Sequence, residues 1–285
     1  MYNTIIVGYD ESESSKAALK ESSLWVKKHG GRLFLVHAVF FDEEEFTNLP
    51  AQREKRLELG GKMCKIAKRT VLEEDAIDVE SLLCEGEPPE VIADVARGKQ
   101  ADLIALGTYG RKGLRRLLMG SVTAEVILKA PCDVLVVKRQ CSECTGQYSS
   151  LLVSFDGSEY GRKALKRACE LAKADNAAVS VLYVIPRYEE MIEFFRTDSI
   201  QKSLKREAEK IIAQAQQIAL ESGVSIKAHI EEGHAADKVI TAAERLENDL
   251  IIMGTHGWKG FSNAVMGSTT RRVITHAHCP ILVVK

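Results

Sequence analysis

The sequence predicts an α/β protein built as two tandem domains, each folded around a parallel, doubly wound sheet. Two observations carry this. The chain repeats itself: "IIVGYDESE" (Ile5 to Glu13) returns as "LLVSFDGSE" (Leu151 to Glu159). "ADLIALGTYG" (Ala101 to Gly110) returns as "NDLIIMGTHG" (Asn248 to Gly257), and "PCDVLVVK" returns as "HCPILVVK". An offset of 146 residues, as from Asp10 to Asp156, is the length of a domain, not of a solenoid repeat. Within each copy, short apolar runs alternate with longer amphipathic stretches, which is the pattern of strand–helix crossovers.

Taken in order, the first copy offers strands at Thr4 to Gly8, Arg32 to Phe40, Asp78 to Cys84, Leu103 to Gly107 and Val134 to Lys138. These runs are nearly continuous in Val, Ile and Leu rather than alternating, as in a sheet covered on both faces. Helices fall between them at Ser14 to His29, 53–74, Pro88 to Gly98 and Ser121 to Lys129. Pro88 suits a first helical turn, where its missing N–H costs nothing. The second copy follows the same order, with a long helix over Ser199 to Ser222 stopped by Gly223. The polar stretch "RQCSECTGQYSS", from Arg139 to Ser150, separates domains at 1–140 and 148–285.

Composition narrows the function classes. The 285 residues are 45% hydrophobic and 28% charged, with a formal net charge of −1, so nothing global asks for nucleic acid. Aromatic residues at 6% argue against a base-stacking surface. No apolar run reads as a signal sequence or approaches a membrane span. Seven scattered cysteines suggest reduced thiols and a cytoplasmic location.

The chemistry concentrates in one repeated loop. Its spacing is Gly107-x2-Gly110-x9-Gly120-Ser121, matched by Gly254-x2-Gly257-x9-Gly267-Ser268. This is neither a Walker loop nor the dinucleotide turn, but the parts serve the same purpose. Gly107 and Gly254 end a strand where a backbone approaches closely, and Gly110 and Gly257 suit positive φ, turning N–H groups into an anion nest. Gly120-Ser121 and Gly267-Ser268 then open a helix, whose N–H groups and dipole favour phosphate. Ser121, Thr123, Ser268 and Thr269 add hydroxyls. Arg111, Lys112, Arg115 and Arg116 make the first loop basic, with Lys259 the main cation in the second. A structural reading of the same residues is a strand-exit turn followed by an N-cap. The glycines survive while the sequence between them drifts from "RKGLRRLLM" to "WKGFSNAVM", which points to a fixed backbone role in both copies.

Each copy resembles the universal stress protein family, and the pair resembles its tandem-domain members. "GYDES", "SFDGS", the two glycine loops, "VLVVK" and "ILVVK" carry the resemblance across nearly the whole chain. It implies five parallel strands ordered 3-2-1-4-5, a Rossmann-like fold of the adenine nucleotide alpha hydrolase type, and membership of the ATP-binding subgroup. Ligands in such sheets sit at the strand carboxyl ends where winding reverses, here between strands one and four. By position, Asp10 and Asp156 fall where a carboxylate meets the ribose, with a loop-capping role as the alternative. Ala38 and Val184 fall where a backbone group meets the adenine edge. Gly107, Gly110, Arg111, Gly120, Ser121, Val122 and Thr123 would cradle phosphates in the first domain; Gly254, Gly257, Gly267, Ser268 and Thr269 would do so in the second. The expected ligand is ATP, or ADP or AMP, with Mg²⁺.

Other clusters carry less. Cys141-x2-Cys144 lacks the second pair of a zinc site, His276, His278 and Cys279 have no counterpart in the first copy, and His37 reads as a core residue. No catalytic constellation stands out, so a nucleotide-dependent stress-response regulator is expected, with at most slow ATP hydrolysis. An interaction or scaffold protein with vestigial loops is the rival class. In the family the last strand of each domain mediates dimer contacts, so an internal pseudo-dimer and further homodimerisation are expected.

Overall fold

The computed structural model describes residues 1–41, 50–108, 119–138, 140–186, 198–255 and 266–285. The chain divides into two compact units, Met1–Gln147 and Tyr148–Lys285. No described helix is long and apolar enough to cross a membrane.

The first unit runs β1 (Thr4–Gly8), α1 (Glu13–His29), β2 (Arg32–Val39), α2 (Pro50–Asp75), β3 (Val79–Glu85), α3 (Pro88–Gly98), β4 (Leu103–Gly107), α4 (Ser121–Lys129) and β5 (Asp133–Val137). Its strands lie in the order β3-β2-β1-β4-β5, each pairing parallel to its neighbour. The second unit repeats this with β6 (Ser150–Ser154), α5 (Glu159–Asp175), β7 (Ala178–Pro186), α6 (Asp198–Glu221), β8 (Ile226–Gly233), α7 (Ala235–Arg245), β9 (Leu250–Gly254), α8 (Ser268–His276) and β10 (Ile281–Val284). Its order is β8-β7-β6-β9-β10, again parallel. Both are therefore the expected 3-2-1-4-5 sheet, and the winding reverses between β1 and β4 and between β6 and β9.

The continuous apolar runs are buried on both faces, as a sheet covered by helices requires: every residue of β1 and β5 is buried, and Ile5, Ile6, Val7, Ile104 and Val134 are fully enclosed. The helices begin where capping chemistry allows. Ser12 accepts from Ser15 N–H to start α1, and Ser158 accepts from Gly161 N–H to start α5. A carboxylate fixes the amino end of each first strand. Asp102 accepts from the N–H groups of Asn3 and Thr4, both at 2.9 Å, and Asp249 accepts from those of Ser149 and Ser150 at 2.7 and 3.0 Å. With the amino ends pinned, the carboxyl ends of β1 and β4 are brought level.

Candidate functional site

In the first unit, β1 runs out at Gly8 and the chain turns through Asp10 into α1. Asp10 Oδ1 accepts from Ser12 N–H at 3.1 Å and from Ser12 Oγ at 2.5 Å, while Glu11 takes a left-handed conformation with φ 66°. Ser12 Oγ lies 3.3 Å from Ser14 Oγ, and Ser14 lies flush against the end of β4. A Cβ on Gly107 would sit 2.4 Å from Ser14 Oγ and 2.5 Å from Ser14 C. Only glycine fits there, and the close approach it permits is between β4 and the first turn of α1. An unbroken run of contacts thus joins Asp10, Ser12, Ser14 and Gly107 at the winding reversal.

The glycine loop closes on the same place. Gly120 N–H donates to Thr108 O at 2.8 Å, so the two ends of the loop meet, and Thr123 Oγ1 donates to Gly107 O at 2.8 Å. Thr123 was expected among the phosphate contacts; its single hydroxyl proton is committed to the strand-end carbonyl. Gly110, Arg111 and Gly257 lie outside the described residues, with the rest of 109–118 and 256–265.

Among the described residues no side chain caps helix α4: Gly120 is its N-cap, and the first intrahelical bond is Ala124 N–H to Gly120 O at 3.1 Å. The N–H groups of Ser121, Val122 and Thr123 precede that bond, at the positive end of the helix dipole. Ser121 is exposed and Val122 half-buried. The donor set suits an anion with several acceptor oxygens, which is what a phosphate supplies.

Ala38 borders the crevice through its main chain. Tyr9 N–H donates to Val36 O at 2.9 Å, whereas Gly86 N–H donates to Val39 O at 3.0 Å. Along β2, even-numbered residues thus direct their peptide groups toward β1 and odd-numbered ones toward β3. The polar groups of Ala38 face the β1 side two residues past Val36, where the β1 ladder ends. In the second unit Phe155 N–H donates to Leu182 O at 3.0 Å, so Val184 holds the same position beyond β6.

The second crevice repeats the frame. Asp156 Oδ1 accepts from Ser158 N–H at 2.9 Å, and left-handed Gly157 (φ 80°) replaces Glu11. A Cβ on Gly254 would lie 2.5 Å from Tyr160 Cβ, so Tyr160 occupies the place of Ser14. Gly267 caps α8 with no side-chain bond, and its N–H donates to Thr255 O at 3.4 Å. Thr270 Oγ1 donates to Gly254 O at 3.2 Å. Thr270 is therefore the counterpart of Thr123, a residue the sequence reading passed over. Counting on from Ser121 and Ser268 in parallel would have found it. Ser268 is exposed and Thr269 half-buried at the helix start, where Ser121 and Val122 stand in the first unit.

Side-chain chemistry around the frames differs. In register with Val184 stands Glu231, which pairs with Arg245 at 2.7 Å and Lys238 at 3.3 Å; in register with Ala38 stands Cys84. Burial alone would push the Glu231 carboxyl up, but the hydrogen bonds and charges of Arg245 and Lys238 outweigh it and hold it below the usual carboxylate value.

Two parallel α/β units, each with its winding reversed between its first and fourth strands, define a tandem doubly wound α/β fold. Comparison with known proteins sharpens the class. Residues 1–138 and 147–285 each match the Universal stress protein family, and the chain belongs to it. A universal stress protein of Mycobacterium tuberculosis is 24% identical over 292 residues, covering 99% of this chain and 96% of that protein. One from Methanocaldococcus jannaschii is 34% identical over 140 residues, covering 48% of this chain and 82% of the relative. The crystal structure of a universal stress protein from Archaeoglobus fulgidus superposes with a TM-score of 0.74 at 19% identity, covering 99% of this chain and 96% of that one.

Proposed function

We propose that the crevices bind an adenine nucleotide, ATP or its products ADP and AMP, and that occupancy biases the conformation of the protein as a nucleotide-dependent regulator of the stress response. The observation that carries the reading is the pairing, in both units, of an uncapped helix N-terminus with an Asp–Ser turn across the winding reversal. In this reading the helix N–H groups and the Ser121 and Ser268 hydroxyls receive phosphate, and Mg²⁺ travels with it. The aspartates face the ribose, and the main chains of Ala38 and Val184 meet the base. The more basic first loop favours the triphosphate there. The seven cysteines, none of them in a disulfide, fit a reducing, cytoplasmic setting.

One observation favours a second reading, a scaffold that keeps the turns for folding alone. Asp10, Asp156, Thr123 and Thr270 all hydrogen-bond their own unit's backbone. The two readings part in one experiment. Denaturing the purified protein and identifying released small molecules by mass spectrometry should recover an adenine nucleotide. Protein stripped of ligand should then give a calorimetric signal with Mg-ATP. No released nucleotide and no heat at millimolar ATP would leave only the scaffold.

A further inference from the structure

Nearly every group described so far comes in two copies. The segment 140–147 that follows β5 comes once, and it lies along α1 from the first turn to the last. Cys144 Sγ donates to Ala17 O at 3.4 Å, Thr145 N–H donates to Glu21 Oε2 at 3.1 Å, and Lys28 Nζ donates to Gln147 Oε1 at 2.5 Å. Gly146, left-handed at φ 64°, lies so close that a Cβ would meet Leu24 C at 2.4 Å and Trp25 N at 2.5 Å. The segment is a strap on the helix whose first turn walls the crevice.

The strap opens on two cysteines. Cys141–Glu143 form a single 3₁₀ turn, locked by reciprocal bonds between Gln140 and Glu143, and Cys144 N–H closes onto Cys141 O at 3.3 Å. A turn closed in this way holds its first and fourth Cα atoms within about 7 Å, and 3₁₀ side chains three apart eclipse one another. Disulfides span Cα separations of about 4.4–6.8 Å, so the closed turn holds the two backbones near the separation a bridge needs. Both cysteines are half-buried, within reach of a small reagent, as are the separate Cys84 and Cys132, while Cys64, Cys169 and Cys279 are buried.

We propose that Cys141 and Cys144 are a reversible dithiol–disulfide site, and that closing the bridge unpins the strap from α1. The oxidant is a low-molecular-weight disulfide. The thiolate of one cysteine attacks a sulfur of the reagent and expels one reagent thiolate; the second cysteine then attacks the mixed disulfide and expels the other. Two protein thiols become one S–S bond, the reagent disulfide becomes two thiols, and the two protons go to those thiols. The bridge removes the Cys144 S–H, which is shared between Ala17 O on the helix at 3.4 Å and Gln140 O in its own turn at 3.5 Å, and with it the strap's first hydrogen bond to the helix. Burial and then Glu13 push the Cys141 thiol up, against Lys16 and Lys20, which keeps its thiolate fraction low and its attack on the reagent slow.

The test reads thiols and backbone, not nucleotide, so its outcome is independent of the reading above. Full-length protein is equilibrated with oxidised glutathione, blocked by alkylation and mapped by mass spectrometry, with amide exchange followed in parallel. The expected result is a product lighter by two hydrogens, bridged within the 141–144 peptide and reversed by reduced glutathione. Amide exchange in 144–147 and the adjoining turns of α1 should rise at least several-fold on oxidation. Cys141→Ser should stop at a glutathione adduct on Cys144 and keep slow exchange before oxidation. Glutathione adducts without an internal bridge in the wild type, or a bridge to any other cysteine, would overturn the site. A bridge that leaves amide exchange unchanged would overturn the unpinning.

Discussion

The two crevices share a backbone and differ in what surrounds it. Both have an aspartate turn, a strand-end glycine against a helix, a threonine hydroxyl on that glycine's carbonyl and an uncapped helix start. Against this frame Ser14 has become Tyr160, Glu11 has become Gly157, and Cys84 has become Glu231. Behind α1, the buried Asp75 pairs with Lys20 at 2.6 Å and accepts from Ser23 Oγ at 2.5 Å, where Cys169 hydrogen-bonds Ser222 in the second unit. The lesson is that main-chain geometry sets the crevice and tolerates drift in side chains, while charge and packing are retuned independently in each half.

That contrast can be broken by substitution, beginning with the tightest contact. Gly107→Ala forces the Ser14 backbone to move, with Ser14 C at 2.5 Å from the new methyl, and should cost about 3 kcal/mol. Gly254→Ala meets Tyr160 Cβ at 2.5 Å but Tyr160 C only at 3.0 Å, and should cost less. Urea unfolding with peptide-resolved amide exchange measures both; an equal or larger cost at Gly254 would show that Ser14 and Tyr160 do not set the difference.

Asp75→Ala comes next. It removes one partner from each neighbour, but Lys20 keeps Glu74 at 3.0 Å and the Ser23 hydroxyl keeps Lys20 O at 2.9 Å, so about 1–2 kcal/mol is expected. Ser222→Ala, losing a bond to a thiol, should cost well under about 1 kcal/mol. Similar costs by the same unfolding assay would mean that the two pairs are energetically alike despite their chemistry.

The Glu231 cluster gives a smaller, pH-dependent difference. Its folded pKa is lowered from 4.5, so its stabilisation is present above pH 4.5 and is lost as pH falls through the lower folded value. The exposed Arg245 and half-buried Lys238 limit the effect to below about 1 kcal/mol. Acid unfolding of wild type and Glu231→Gln should differ above pH 4.5 and converge as pH falls through the lowered folded value; parallel curves would show that the pair adds no pH-dependent stability. Smallest of all, Glu11→Gly should relieve the left-handed strain and raise stability by about 0.5 kcal/mol after the flexibility glycine adds to the unfolded chain. A loss of stability in a thermal melt would show that Glu11 does more than turn the chain.

Much of the fold was legible because parallel strands buried on both faces write themselves as unbroken apolar runs. Thr4–Gly8 and Leu103–Gly107 match residue for residue, as do helices Pro88–Gly98 and Ser121–Lys129, bounded by proline and by Gly120. The edge strand β3 shifted by one residue, to Val79–Glu85, since an alternating, half-exposed run marks its ends weakly. At the site, sequence spacing located the loops but not what each residue touches. Ser14 and Tyr160 lie more than ninety residues from the glycines they press against, and no local pattern announces that contact. Likewise the Thr123 hydroxyl reads as a ligand donor until the carbonyl of Gly107 is seen beside it.

Whether the helix starts at Ser121 and Ser268 receive phosphate is tested most directly by Ser121→Asp and Ser268→Asp. Both positions are exposed, and a carboxylate there favours the ligand-free helix through its dipole while opposing a phosphate. Calorimetric titration of stripped protein with Mg-ATP should show at least one variant weakened by about tenfold or more, near 1.4 kcal/mol, with Tm unchanged or raised. ATP affinity unchanged in both variants and in the double variant would contradict the claim.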